Sequence, residues 1–276
     1  MEPQPIEEKI NLIRSALDTK KRVLVSFSGG VDSSVVAAIA HETLGEEAIA
    51  CTAKSETLPE SELIDSIKVA NEIGIRHEII NFSELDNPDF VANDSFRCYH
   101  CQYMRFQKMY EFAKSMDITT VCDGTNASDV VATHRPGIRA IQELQVFSPL
   151  LEFNVTKEEV REIARIYGLS VADKPAMACL SSRIPTGILV TSQRLARVEK
   201  AESFITSLGF SQVRVRDHDG IARVEIGKSE LTRSKNPLFQ KNVNEFLIDL
   251  GFEQVIIDPL GYRTGGANMP FIKNKS

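Results

Sequence analysis

The seven residues Ser28-Gly29-Gly30-Val31-Asp32-Ser33-Ser34 constrain this chain more than any other stretch. They follow residues 22–27, an apolar, β-branched run that reads as a buried parallel strand. They precede residues 35–40, which read as a helix with an apolar face. A strand, a glycine turn and a helix in succession aim backbone N–H groups and the positive helix end at an anion. Gly29 and Gly30 permit the tight turn and the close approach of a phosphate. Ser28, Ser33 and Ser34 add hydroxyl donors. Asp32 repels a phosphate, so its expected work is to hold Mg²⁺ or to orient the loop. The lysine of the GxxxxGKS loop is missing, and the spacing is not GxGxxG.

SGGVDSS resembles the PP-loop, SGGxDS, of ATP pyrophosphatases. Those enzymes cleave ATP between the α and β phosphates and adenylylate a substrate. The residues around the loop repeat a βαβα rhythm, which means a parallel sheet with right-handed crossovers. Residues 6–18 read as an amphipathic helix with Ile6, Ile10, Ile13 and Leu17 on one face. Residues 47–53 read as a second strand, 60–73 as a helix stopped at Gly74, and 77–81 as a third strand. The expected fold is α/β, a doubly wound Rossmann-like sheet. Ligands of such sheets collect at the carboxyl ends of the strands, so Lys54 and Ser55 should border the nucleotide. Residues 119–129 read as strand four and its loop, which delivers Asp123, Gly124, Asn126 and Asp129 to the same edge. Arg135, just beyond, suits bidentate binding of phosphate or carboxylate.

Cysteine usage narrows the chemistry. Five cysteines in a chain with a polar, acidic N-terminus point to a cytoplasmic protein with metal, cluster or catalytic thiols rather than a disulfide framework. Cys51 and Cys122 lie in strand-like segments and read as small core residues. Cys98 and Cys101 form a CxxC that leads into a helix over 102–116, and a helix N-terminus favours thiolates. Cys179 falls in a Pro-, Ser- and Gly-rich loop over 174–187, beside Ser181, Ser182 and Arg183, whose charge would lower a thiol pKa. The formal net charge of −6 gives no general case for a nucleic-acid partner. No apolar run reaches membrane-spanning length.

Residues 156–167 read as a helix opened by a Thr156–Glu159 capping box. The expected division is a PP-loop domain over 1–186 and a small α+β domain over 187–276. The latter has the order αββαβ: a helix over 191–208, strands at 212–217 and 221–226, a helix over 236–250 and a strand at 254–258. Arg214 and Arg216 share one strand face, as do Arg223 and Glu225. That face reads either as solvated or as a surface for an anionic substrate or a second subunit.

SGGVDSS, DGTNASDVVATHRPG, SPLLEFNVTKEEVREIA and KPAMACLSSRIPTG, in that order, resemble the LarE family of ATP-dependent sulfur transferases, and VRVRDHDGIARVE is similar to that family's small-domain signature. The resemblance covers nearly the whole chain. It implies adenylylation of a carboxylate of pyridinium-3,5-biscarboxylic acid mononucleotide, then sulfur insertion for a nickel-pincer cofactor. It implies ATP and Mg²⁺ at the PP-loop, a sulfide donor, a substrate bound by Arg183, Arg214, Arg216 and Glu225, with Arg214 and Arg216 the candidates for its phosphate, and a homo-oligomer, trimer or hexamer. Cys179 matches the family cysteine that carries the sulfur chemistry. In members with that cysteine alone it gives up its own sulfur. This chain also has Cys98 and Cys101, which makes it similar to tRNA thiolases in which three thiolates hold a [4Fe–4S] cluster. Three thiolates also suit Zn²⁺ with one open position. The competing readings are a cluster-dependent tRNA thiolase, a sacrificial Cys179, and a non-catalytic nucleotide- or cluster-sensing module.

Overall fold

A computed structural model of the protein describes residues 4–131, 136–175, 178–263 and 265–269. It falls into two compact units, Met1–Glu84 with Cys98–Met177 and Leu85–Arg97 with Ala178–Ser276.

The first unit is built on four parallel strands. Its elements are α1 (Ile6–Lys20), β1 (Val23–Ser26), α2 (Val31–Leu44), β2 (Ala48–Lys54), α3 (Glu60–Ile73) and β3 (Arg76–Asn81). After the short α4 (Pro88–Ala92), which belongs to the second unit, come α5 (Arg97–Ser115), β4 (Thr120–Cys122), α6 (Ala127–Val131), α7 (Pro136–Glu143), α8 (Pro149–Glu152) and α9 (Lys157–Ile166). The strand order is β3-β2-β1-β4, so the chain winds outward from β1 and then returns to its other side. That reversal opens a crevice at the carboxyl ends of β1 and β4, where doubly wound folds take ligands. Phe147 adds one further parallel bridge to Cys122.

β1, β2 and β4 are buried on both faces, which is why β1 and β2 read as continuous apolar runs, whereas the edge strand β3 is half-exposed. One layer packs Ile10, Ile13 and Leu17 of α1 with Val35, Val36 and Ile39 of α2 and Val160 and Ile163 of α9. The other packs Phe106 and Met109 of α5 against Leu24, Ile49 and Val121. The capping box of α9 is present as expected, with Thr156 and Glu159 each bonded to the other's backbone N–H.

The second unit has a separate sheet, β5 (Val213–His218), β6 (Ile221–Ile226) and β7 (Gln254–Ile257), in the order β5-β6-β7. β5 and β6 are antiparallel; β6 and β7 are parallel. The hairpin turn is Asp219-Gly220, both with positive φ (56° and 93°), as a two-residue turn of this twist requires. α10 (Ser192–Ser207) and α12 (Pro237–Asp249), with the short α11 (Leu231–Ser234) between the strands and α12, complete the unit. Phe204 and Phe246 stack between α10 and α12, ring centroids 3.9 Å apart.

Candidate active site

The PP-loop is held by its own hydroxyls. Ser33 Oγ accepts from the Ser28 N–H at 3.2 Å, pairs with Ser28 Oγ at 3.1 Å and donates to the Gly30 carbonyl at 3.2 Å. The Gly30 N–H donates to Ser28 Oγ at 3.3 Å. Gly29 has φ +67°, and a Cβ there would stand 2.7 Å from the Ser66 Cα of α3. Gly30 caps α2 without a side-chain bond, so the first-turn N–H groups of that 14-residue helix lack an intrahelical partner. Ser34 Oγ is buried without a hydrogen-bond partner. Such a helix start suits the phosphates of ATP.

The loop after β4 presses on the same helix start. A Cβ on Gly124 would lie 2.7 Å from the Ser33 nitrogen. Asp32 Oδ1 accepts from Asn126 Nδ2 at 3.0 Å, and Oδ2 from Lys157 Nζ at 2.5 Å. Asp129 Oδ2 accepts the Asn126 N–H at 3.1 Å. Asp123 is buried and accepts from Ser148 Oγ at 2.5 Å and from Thr125 Oγ1. Burial pushes its carboxyl up, and those two hydroxyls offset only part of the shift.

Helix α5 closes the crevice. It starts at Arg97, five residues earlier than the sequence suggests, so Cys98 and Cys101 lie on the helix rather than ahead of it. Cys98 is exposed and lines a cavity of about 520 Å³ with Ser28, Asp32, Ser33, Asp123, Gly124 and Asp129. Arg105, one face along, is the cation on that wall. A Cβ on Gly137 would sit 3.1 Å from Gln102 Cγ, so Gly137 allows α7 to lie close against α5. Cys101 is buried. Its thiol donates to Glu84 Oε1 at 3.4 Å, and Arg105 Nη2 donates to its sulfur at 3.4 Å. Cys51 and Cys122 are fully buried core residues, as expected.

Other expected site residues lie elsewhere. Lys54 ends β2 and is exposed; Ser55 pairs with Thr57 Oγ1 at 3.2 Å; neither lines the cavity. Arg135 lies outside the described residues. Cys179 belongs to the second unit, half-buried, with Sγ 3.0 Å from Ser181 Oγ. Arg183 is fully buried and pairs with Glu202 through Nε and Nη2, both at 2.9 Å. Arg216 pairs with Glu225 at 2.9 Å and donates to the Ser182 carbonyl at 3.1 Å. Glu225 also takes Arg223 at 2.6 Å. The arginine face is therefore an ion network and not a solvated one. Burial, then the charge of Arg183, pulls the Arg214 guanidinium below its ordinary value.

Sequence reasoning missed Glu84, Arg105 and Lys157. No local period marks them; each meets its partners across the fold. Among the described residues, no three His, Cys, Asp or Glu side chains are gathered to hold a metal ion, and no helix is long and apolar enough to cross a membrane.

Residues 11–96, which include the PP-loop, match the asparagine synthase family. An uncharacterized protein of Synechocystis is 37% identical over 268 residues, 97% of this chain and all of the relative. The pyridinium-3,5-bisthiocarboxylic acid mononucleotide synthase of Lactiplantibacillus plantarum is 33% identical over 255 residues, covering 92% of this chain and 91% of the synthase. This chain belongs to the LarE family. It is thus an ATP-dependent sulfur transferase with a PP-loop domain. A tRNA-specific 2-thiouridylase of Rickettsia africae is more distant, at 26% identity over 76% of this chain and 67% of that enzyme.

Proposed function

We propose that this LarE member converts a carboxylate of pyridinium-3,5-biscarboxylic acid mononucleotide into a thiocarboxylate for nickel-pincer nucleotide biosynthesis. The observation that carries the reading is the position of Cys98: a thiol on the wall of the cavity that the PP-loop lines. A tRNA substrate is disfavoured by the charge of −6.

The chemistry divides into two steps. The substrate carboxylate attacks the α-phosphate of ATP, giving an acyl adenylate and pyrophosphate. Hydrosulfide then attacks the acyl carbon, the C–O bond to AMP breaks, and a thiocarboxylate and AMP leave. The first step turns a poor leaving group into a good one. Ser28, Ser33 and the α2 N–H groups bind and orient the phosphates, and Arg105 supplies positive charge where the pyrophosphate separates. Mg²⁺ supplies further charge neutralisation when bound with ATP. Arg214 and Arg216 are assigned to the substrate phosphate in the small unit, which also serves oligomerisation into a trimer or hexamer.

Cys98, Cys101 and Cys179 are assigned to a [4Fe–4S] cluster. Thiolates are the donors that such a cluster takes, and a cluster held by these three would supply a site for an exogenous sulfide. Cys98 stands ready for such a role, whereas Cys101 must give up its bond to Glu84 to take one. The test is anaerobic purification followed by reaction with ATP, Mg²⁺, the biscarboxylic substrate and sulfide, with iron assay and mass spectrometry of product. Expected is iron- and sulfide-dependent exchange of carboxylate oxygen for sulfur. Full activity of iron-free protein without added sulfide, with loss of the Cys179 sulfur, overturns the cluster assignment. Salt-sensitive binding of tRNA with no turnover of the mononucleotide overturns the substrate.

A further inference from the structure

The PP-loop carries no lysine of its own, yet a lysine stands beside it. Lys157 opens α9, where its backbone N–H donates to Ser128 Oγ at 3.0 Å. From there its ammonium reaches Asp32, 125 residues earlier in the chain, at 2.5 Å. Asn126 holds the other carboxylate oxygen. Both side chains of the Lys157–Asp32 pair are 28% exposed, so neither is sealed in the core. The anchoring carboxylate itself lines the cavity with Ser28, Ser33 and Gly124.

The charge balance of this cavity calls for such a cation. Among the described residues that line it, Asp32, Asp123 and Asp129 bring three carboxylates, against the guanidinium of Arg105. A polyphosphate entering there meets repulsion unless further positive charge is fixed nearby. An ammonium tied to the first turn of α2 adds its charge to the helix N-terminus where a phosphate would sit. Asp32 is bonded to two donors, which makes it an anchor for that ammonium.

We propose that Lys157 is a second pyrophosphate-directed cation of this site, beside Arg105, and that Asp32 is the positioning residue that holds it at the loop. The proposal rests on the ATP-dependent reading above but not on its sulfur acceptor. It is tested on the full chain by titration calorimetry with Mg²⁺, using inorganic pyrophosphate and AMP as separate probes. A charge-assisted bond to phosphate predicts that Lys157→Met weakens pyrophosphate about tenfold or more and AMP by less than about twofold. Lys157→Arg should recover most of the pyrophosphate affinity. Lys157→Gln, which keeps a donor for Asp32 without the charge, must show the same split as Met and serves if the Met variant fails to fold. Equal losses for both probes, or no loss for pyrophosphate, overturn the proposal, because Lys157 then only braces the loop. Wild-type protein that binds neither probe overturns the ATP reading itself, and this proposal with it.

Discussion

The thiol of Cys101 donates to Glu84 Oε1 at 3.4 Å, while Cys98, three residues earlier on the same helix, faces the PP-loop cavity. The two cysteines of the CxxC are therefore unlike. One is exposed on the wall of the crevice. The other is buried in a network with a fully buried carboxylate that also takes the Thr57 hydroxyl at 2.9 Å and lies 3.8 Å from Arg105.

Alkylation of the native protein at mildly alkaline pH should therefore separate the thiols. Cys98 should react first. Cys51 and Cys122 should react last, since burial pushes the Cys51 thiol up to about 12 and the Cys122 thiol higher still. Saturating Mg·ATP should slow Cys98 by filling the cavity that it lines. Peptide mapping by mass spectrometry reads the order, and unchanged Cys98 labelling in ATP would contradict a shared cavity.

Glu84→Ala should lower stability by about 1–3 kcal/mol, because it removes the acceptor shared by Thr57, Cys101 and Arg105. The urea midpoint measures it. A change near zero means that the buried carboxylate contributes no net stability.

The two glycines with similar φ offer an internal comparison. Gly29 (+67°) abuts the Ser66 backbone, whereas Gly168 (+66°) has nothing within 4 Å of the position of a Cβ. Gly168→Ala should cost about 1–2 kcal/mol of backbone strain alone. Gly29→Ala should cost more, lower Tm further and abolish ATP binding, because α3 must move. Equal Tm losses would contradict the clash.

Lys9 Nζ lies 2.8 Å from both Glu159 oxygens and 2.6 Å from the Asn154 carbonyl. Burial raises the Glu159 pKa, but the bonds from Lys9 and Thr156 outweigh it and leave the carboxyl below its usual value. A carboxylate with a depressed folded pKa contributes stability above its unfolded value and loses it as pH falls through the folded one. Lys9→Met should thus cost on the order of 2 kcal/mol at neutral pH. The difference from wild type should shrink as pH drops below the ordinary carboxylate range. A pH-independent difference would contradict the pairing.

Much of this fold is legible because its signals are local. A strand, two glycines and a serine-rich helix start specify the PP-loop within a dozen residues, and Gly74, at φ +80°, stops α3 where the pattern says. The sheet follows from short apolar runs spaced by helices. The rest depends on partners distant in sequence. Nothing near Glu84 announces that it will be fully buried against Cys101, and nothing near Lys157 announces Asp32. Arg216 alternates like a solvent-facing residue, yet Glu225 on the neighbouring strand and the Ser182 carbonyl draw it inside. Long-range ion pairs of this kind leave no period to read.

The central claim is that carboxylate activation and sulfur delivery meet in the cavity that Cys98 shares with the PP-loop. Its most direct test compares wild type with Cys98→Ser, each prepared anaerobically and supplied with ATP, Mg²⁺, sulfide and the biscarboxylic mononucleotide. Pyrophosphate release and thiocarboxylate mass are read from the same reaction. The account predicts that Cys98→Ser still releases pyrophosphate in response to the mononucleotide but forms no thiocarboxylate. Thiocarboxylate at the wild-type yield from that variant would contradict it.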